Sequence, residues 1–185
     1  MIFVLKFIRQ LGHLLERLIA PTRWLALVMV ITTFAIVLLR YALETGSVAM
    51  QELVMYLHGL LFLLAIPSGV ANNSHVRVDI LYSRLSERVQ QRLDLAGHMI
   101  FLLPVAGFMF FISLPYVASS WSILEGSSEV GGLPGIFLLK TLLPLCALCL
   151  FIQGLAAIAQ ILLDWLQADR ALPNDVSFDQ SDSPK

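Results

Sequence analysis

The chain has 185 residues, of which 58% are apolar and only 14% charged, and its mean hydropathy is +0.81. Soluble domains carry about 25% charged residues, so too little polarity is available to cover a water-facing surface and much of the solvent must be lipid. A formal net charge of −1 excludes the basic surface of a nucleic-acid binder, and two cysteines inside one apolar run, Cys146 and Cys149, exclude a disulfide framework.

Residues 2–19 predict an amphipathic helix. Lys6, Arg9, Gln10, His13, Glu16 and Arg17 recur at spacings of three and four, with Ile8, Leu11, Leu15, Leu18 and Ile19 on the other side. Such a helix lies in the membrane interface with its basic residues toward head groups, and Pro21 ends it. Lys6 and Arg9 interrupt the apolar run and no small-residue cleavage site follows, so the segment is read as part of the mature protein rather than as a signal peptide.

Four membrane spans follow, at 24–43, 49–71, 95–124 and 134–165. At about 1.5 Å per residue the first reaches about 30 Å, the thickness of the hydrocarbon. The last two are longer than a perpendicular helix requires, so they tilt or project, and Pro104, Pro115 and Pro144 are candidate kinks. Between spans two and three, Leu81, Leu85, Val89 and Leu93 repeat every four residues, predicting a second interfacial helix over 81–94 with Ser86 and Glu87 capping its start. The fold class is therefore all-α and integral to the membrane: a four-helix domain over 1–167, two amphipathic helices, and a disordered tail over 168–185.

Orientation follows from the basic residues. Ten of the twelve fall on one side: Lys6, Arg9, Arg17, Arg23, Arg77, Arg84, Arg88, Arg92, Arg170 and Lys185. Arg40 and Lys140 fall on the other. Both termini are expected in the cytoplasm, and the loops 44–48 and 125–133 outside.

Few residues invite chemistry. Glu52 sits one turn into span two, where a carboxylate is costly unless paired. It reads as an ion or subunit contact, or as an interfacial carboxylate that pairs Arg40 or hydrogen-bonds Tyr56. Lys140 reads as a snorkelling lysine, with Glu125, Glu129 or an anionic lipid as other partners. His58 and His98 suggest a haem pair, but they lie about 20 Å and about 5 Å from the cytoplasmic side, a mismatch that argues against it. Cys146 and Cys149 are two ligands where a structural zinc site needs four, and read as small packing residues. No phosphate-cradling glycine loop is present, and Gly131-Gly132-Leu133-Pro134 reads as a turn opening span four. No catalytic, cofactor or metal site is expected. With almost no charge at mid-membrane, the chain reads as a partner or scaffold rather than a complete solute pathway.

Several stretches, in order on these spans, carry a family resemblance. They are Arg40-Tyr41, Glu52 with Tyr56, His75-Val76-Arg77-Val78-Asp79-Ile80, Tyr82 to Ser86, Glu125 to Pro134, Leu139-Lys140, Pro144 and Gln153-Gly154. Together they resemble the small membrane subunit of tripartite ATP-independent periplasmic (TRAP) transporters, the DctQ-like family. That resemblance implies a bacterial inner-membrane scaffold subunit. Its partners would be a large membrane subunit, which moves an organic anion with sodium, and a periplasmic solute-binding protein. Sodium and substrate sites are then expected in the large subunit. By position, the resemblance implies structural or subunit-contact roles for Arg40, Glu52 and Tyr56 on the outer side, for His75, Arg77 and Asp79 at the inner turn, and for Glu129 and Lys140 at the outer turn. Two alternatives stay open: a membrane anchor of a redox complex, which a Soret band would reveal, and a small homodimeric exporter, which would transport alone.

Overall fold

A computed structural model describes residues 2–72, 82 and 84–170. His75, Arg77 and Asp79, and the tail beyond Arg170, lie outside the described residues. Every regular element described is helical: α1 (Ile2–Ile19), α2 (Leu25–Ala42), α3 (Val48–Ala71), α4 (Glu87–Gly97), α5 (Leu103–Ser122) and α6 (Ile136–Arg170). Four of the resulting rods are long and apolar enough to cross a membrane. In hydrocarbon every backbone amide must be satisfied within its own segment, which is why apolar runs of this length fold as helices.

The rods join differently from the expected separate pieces. Pro21 does not end the helical path: a short 3-10 segment, Ala20–Trp24, carries α1 into α2. A proline in a first turn forfeits no hydrogen bond, because that amide has no acceptor there. The central amphipathic helix begins at Glu87 and runs into the third span through a π turn, His98–Leu102. Pro104 explains that turn: its ring would meet the carbonyl of Ile100 in a regular helix, and the wider π ring makes room. Ser86 occupies the N-cap as expected, but its side chain makes no capping bond. Its carbonyl instead accepts the amides of Val89 and Gln90. Pro67, Pro115 and Pro144 sit inside α3, α5 and α6.

α6 is the hub, touching α1, α3, α4 and α5, whereas among the described residues α2 rests chiefly on α3 and the 3-10 segment. Half (50%) of the most apolar stretch of α6 is buried, against 0% for the α1–α2 rod. The buried face of α6 is made of small residues: Cys146, Ala147, Cys149, Ala156 and Ala159, with Leu150 and Leu163. Lipid is as apolar as leucine, so close backbone approach and dispersion hold such a bundle together rather than hydrophobic burial. Cys146 packs with Ala106 and Leu150 in this seam, the packing role that its composition suggested.

α1 packs along one stripe against α3 and α6, and residues of both its polar and apolar sides remain exposed. Phe3, Phe7, Leu14 and Leu18 are exposed, while Gly12 and Ile19 are buried. Of its polar residues only Arg9 and Glu16 turn toward α6 and α3, while Lys6, Gln10, His13 and Arg17 stay exposed. A Cβ on Gly12 would overlap that of Ala156, so only glycine permits this approach. The physical reason lies on α6 and α3: Gln153, Gln160 and Ser68 are turned away from water and need polar partners, and α1 supplies them.

Candidate functional site

Two polar clusters stand at opposite ends of the bundle. The outer one is built on the 123–135 loop. α5 ends with Leu124 at φ +46°. The amide of Leu124 reaches Trp121 O at 3.2 Å and that of Glu125 reaches Ser120 O at 3.0 Å, a Schellman cap with leucine where glycine is usual. A tight turn follows, in which Gly132 N donates to Glu129 O at 3.1 Å and Gly131 takes φ +82°. That backbone conformation is the one glycine adopts without a steric penalty. The loop closes as Ser127 N donates to Leu133 O at 3.1 Å, and Glu125 O accepts Phe137 N from the first turn of α6 at 3.3 Å.

Two carboxylates pin this loop. Glu52, on α3, accepts the Ser127 hydroxyl on one oxygen and Leu133 N at 2.6 Å on the other. It bridges both arms of the loop and pairs with neither expected partner. Arg40 is exposed at the end of α2 with no ion pair among the described residues. The Tyr56 hydroxyl is buried without a hydrogen bond, its ring against Gly135. Glu125 is the second anchor, accepting Lys140 Nζ at 2.5 Å and Ser120 Oγ at 2.6 Å. Lys140 also stands 4.3 Å from the centroid of the Tyr116 ring. Of the partners the sequence offered for Lys140, the structure places Glu125 against it, and adds the Tyr116 ring, which the sequence did not single out. The Glu125 carboxyl is held below its ordinary value, first by the Lys140 hydrogen bond and then by Ser120. Trp121 completes the cluster, donating to Thr141 Oγ1 at 2.9 Å and meeting Phe137 edge to face. Glu129 lies in this turn and contributes backbone contacts: its amide donates to Ser127 Oγ at 3.0 Å, and its side chain is exposed.

The inner cluster joins α1, α3, α4 and α6. Gln153, buried on α6, donates to Gly12 O at 3.0 Å. Arg9 Nη1 donates to Gln160 Oε1 at 3.3 Å, and Gln160 in turn to Asp164 Oδ1 at 2.8 Å. Glu16 Oε1 accepts Ser68 Oγ at 3.0 Å and Asn72 Nδ2 at 2.8 Å. On α4, Asp94 Oδ2 accepts the Tyr82 hydroxyl at 2.6 Å, and Gln91 accepts the Trp165 indole. Arg9, Glu16, Asn72, Gln91, Asp94, Gln153, Gln160 and Asp164 line a half-open cavity of about 390 Å³. Sequence reasoning missed this assembly. Its one signal was Gln153, Gln160 and Asp164, at spacings of seven and four along α6.

The histidines do not meet as a pair. His58 stacks on Phe62, and His98 Nδ1 approaches Asp94 O at 2.6 Å. Among the described residues no three His, Cys, Asp or Glu side chains gather as metal ligands. Glu52 accepts two loop donors and Glu125 accepts Ser120 from α5 and Lys140 from α6, which suits both to anchoring.

Four crossing rods, a hub of small residues and charge confined to the two ends define a multi-pass helical membrane protein. The description of the DctQ component of tripartite ATP-independent periplasmic transporters matches residues 29–164, from within α2 to near the end of α6. The chain belongs to the DctQ family: it is a small membrane component of a TRAP transporter. No curated protein matches the chain.

Proposed function

We propose that the chain is a non-catalytic scaffold that holds a large transport subunit in the bacterial inner membrane. The complex would import organic acids or related solutes, driven by sodium and supplied by a periplasmic binding protein. The carrying observation is the distribution of polar groups. Glu52, Glu125 and Lys140 are committed to the outer loop, Arg9, Glu16 and Asp164 to the inner cluster, and no charged side chain lies on α6 between Lys140 and Asp164. A polar solute has no lined route between the two. Sodium and solute sites then belong to the large subunit, and family membership supports that division of labour.

Both termini are assigned to the cytoplasm on the basic-residue asymmetry. On that topology Glu52, Tyr56 and Lys140 shape the periplasmic loop. Arg40 and Glu129, exposed beside it, face the large subunit or the binding protein, and His75, Arg77 and Asp79 organise the cytoplasmic turn after α3. Co-expression with the large subunit encoded alongside, followed by purification in mild detergent through a tag on this chain alone, tests the reading. The two membrane proteins are expected to elute together; elution of this chain by itself contradicts the proposal.

A further inference from the structure

We propose that the outward stripe of α3 seats a transmembrane helix of the large membrane component, and that this helix presents a hydrogen-bonding side chain to His58 at mid-membrane. The seat presupposes the scaffold reading and adds where the scaffold is gripped.

α3 packs against α1, α2, α6 and the 3-10 segment, and one continuous line of its surface stays uncovered. Gln51, Met55, His58, Phe62 and Ala65 are all exposed, at spacings of four, three, four and three. A repeat averaging about 3.5 residues keeps one face toward a second helix as the two wind around each other. The stripe extends over about four turns, or about 21 Å of rise, which is a helix-length contact.

Apolar residues on such a line are at home in lipid, but His58 is not. It stands about 15 Å of rise from the Val48 end of α3 and about 20 Å from the Ala71 end, in the middle of the span. Thr32, Thr33 and His98 each turn to the carbonyl four residues back. His58 does not: its ring stacks on Phe62, and among the described residues nothing hydrogen-bonds it. Hydrocarbon offers neither ring nitrogen a partner, and ionisable side chains within spans almost always face a bundle interior or pair. The face that carries His58 is therefore covered in the assembled transporter.

The chemistry of the stripe selects the occupant. A neutral imidazole has one donor and one acceptor. A symmetric second copy would set His58 against His58, and two such rings make one hydrogen bond between them, leaving a donor and an acceptor bare. A hydroxyl, an amide or a protonated carboxyl on a different helix both donates and accepts, and the chain is one component of a tripartite assembly. Gln51 and His58 are seven residues apart, at equivalent positions of the repeat, where polar residues set the register of paired helices. Ala65, the small residue of the stripe, lets the partner backbone approach closely.

Membranes that hold the assembled transporter are prepared with the photoreactive residue p-benzoylphenylalanine in place of Phe62 or, for reference, of Phe111 on the exposed face of α5. Irradiation should join this chain to the large component from position 62 and not from position 111. Joining from 62 to a second copy of this chain, or to lipid alone, overturns the proposal, as does equal joining from both positions. In purification through a tag on this chain, His58→Leu should lower recovery of the large component about threefold, the value of one interhelical hydrogen bond in a bilayer, and His58→Gln should restore most of it. Ala65→Trp should lower recovery about tenfold by overfilling the seam. Both positions are exposed, so the helix content and elution profile of the chain by itself should not change. Undiminished recovery in both His58→Leu and Ala65→Trp overturns this seat while leaving the scaffold reading in place. Absence of the large component from the eluate of the unaltered chain overturns the scaffold reading and the seat together.

Discussion

Glu52 carries more of the outer architecture than any other single side chain. Replacing it with alanine strips the Ser127 hydroxyl and the Leu133 amide of their acceptor, at a cost of about 1–3 kcal/mol for groups left unsatisfied. Amide exchange at Leu133 should rise sharply in Glu52→Ala and less in Glu52→Gln, which keeps one carbonyl acceptor; unchanged exchange in both would dismiss Glu52 as the clamp. Glu125 gives a pH signature. Its pKa is lowered on folding, mainly by Lys140. A carboxylate lowered in this way contributes stability above its unfolded pKa, and the contribution is lost as pH falls through the lower folded value. Exchange across the 123–135 loop should therefore accelerate on acidification below the ordinary carboxylate range. Glu125→Gln should flatten that response, and an identical response in the variant would rule the ion pair out as its source. Leu124 is strained: a leucine in the left-handed region costs about 1–2 kcal/mol, and it is exposed with little packing to lose. Leu124→Gly should raise the unfolding midpoint in detergent by the equivalent of about 1 kcal/mol; a fall would mean the cap is held by side-chain contacts instead.

At the scale of elements, α1 is the most informative helix. Its seat depends on Gly12 meeting Ala156 and on Gln153 reaching the Gly12 carbonyl. Gly12→Leu should dislodge α1 while leaving the other rods helical, at about 1–3 kcal/mol for overpacking a close contact. Limited proteolysis should then cut between α1 and α2 sooner than in the unaltered chain; an unchanged cleavage pattern would mean the helix is held elsewhere. α1 also shows where sequence reasoning stops. Periodicity separates a polar face from an apolar one, but it does not say which medium each face meets. The buried stripe of α1 mixes both kinds: Gly12 and Ile19 are buried with Arg9 and Glu16 half-buried beside them, because α6 and α3 carry Gln153, Gln160 and Ser68, while Lys6, Gln10, His13 and Arg17 stay exposed with Phe3, Phe7 and Leu14. The four spans, by contrast, were legible from uninterrupted apolar length. The outer site was only half legible. Glu52 and Lys140 stood out as charges in apolar runs, but Glu52 finds its partners 75 and 81 residues along the chain, and nothing local announces such pairings. The π turn before Pro104 had a local cause, the missing amide, but α4 and α5 fuse through it rather than breaking.

For the molecule as a whole, polarity is confined to the two ends and the middle is a seam of small apolar contacts around α6. Such a bundle can resist displacement, and membership in the DctQ family makes it one component of a tripartite transporter; the proposed scaffold role follows from the two together. The most direct measurement is solute uptake into vesicles under an inward sodium gradient, comparing vesicles that hold this chain alone with vesicles that also hold the large subunit and are supplied with the binding protein. The account predicts no accumulation of organic acid by this chain alone and sodium-dependent accumulation by the assembled system. Accumulation in vesicles that contain only this polypeptide would contradict it.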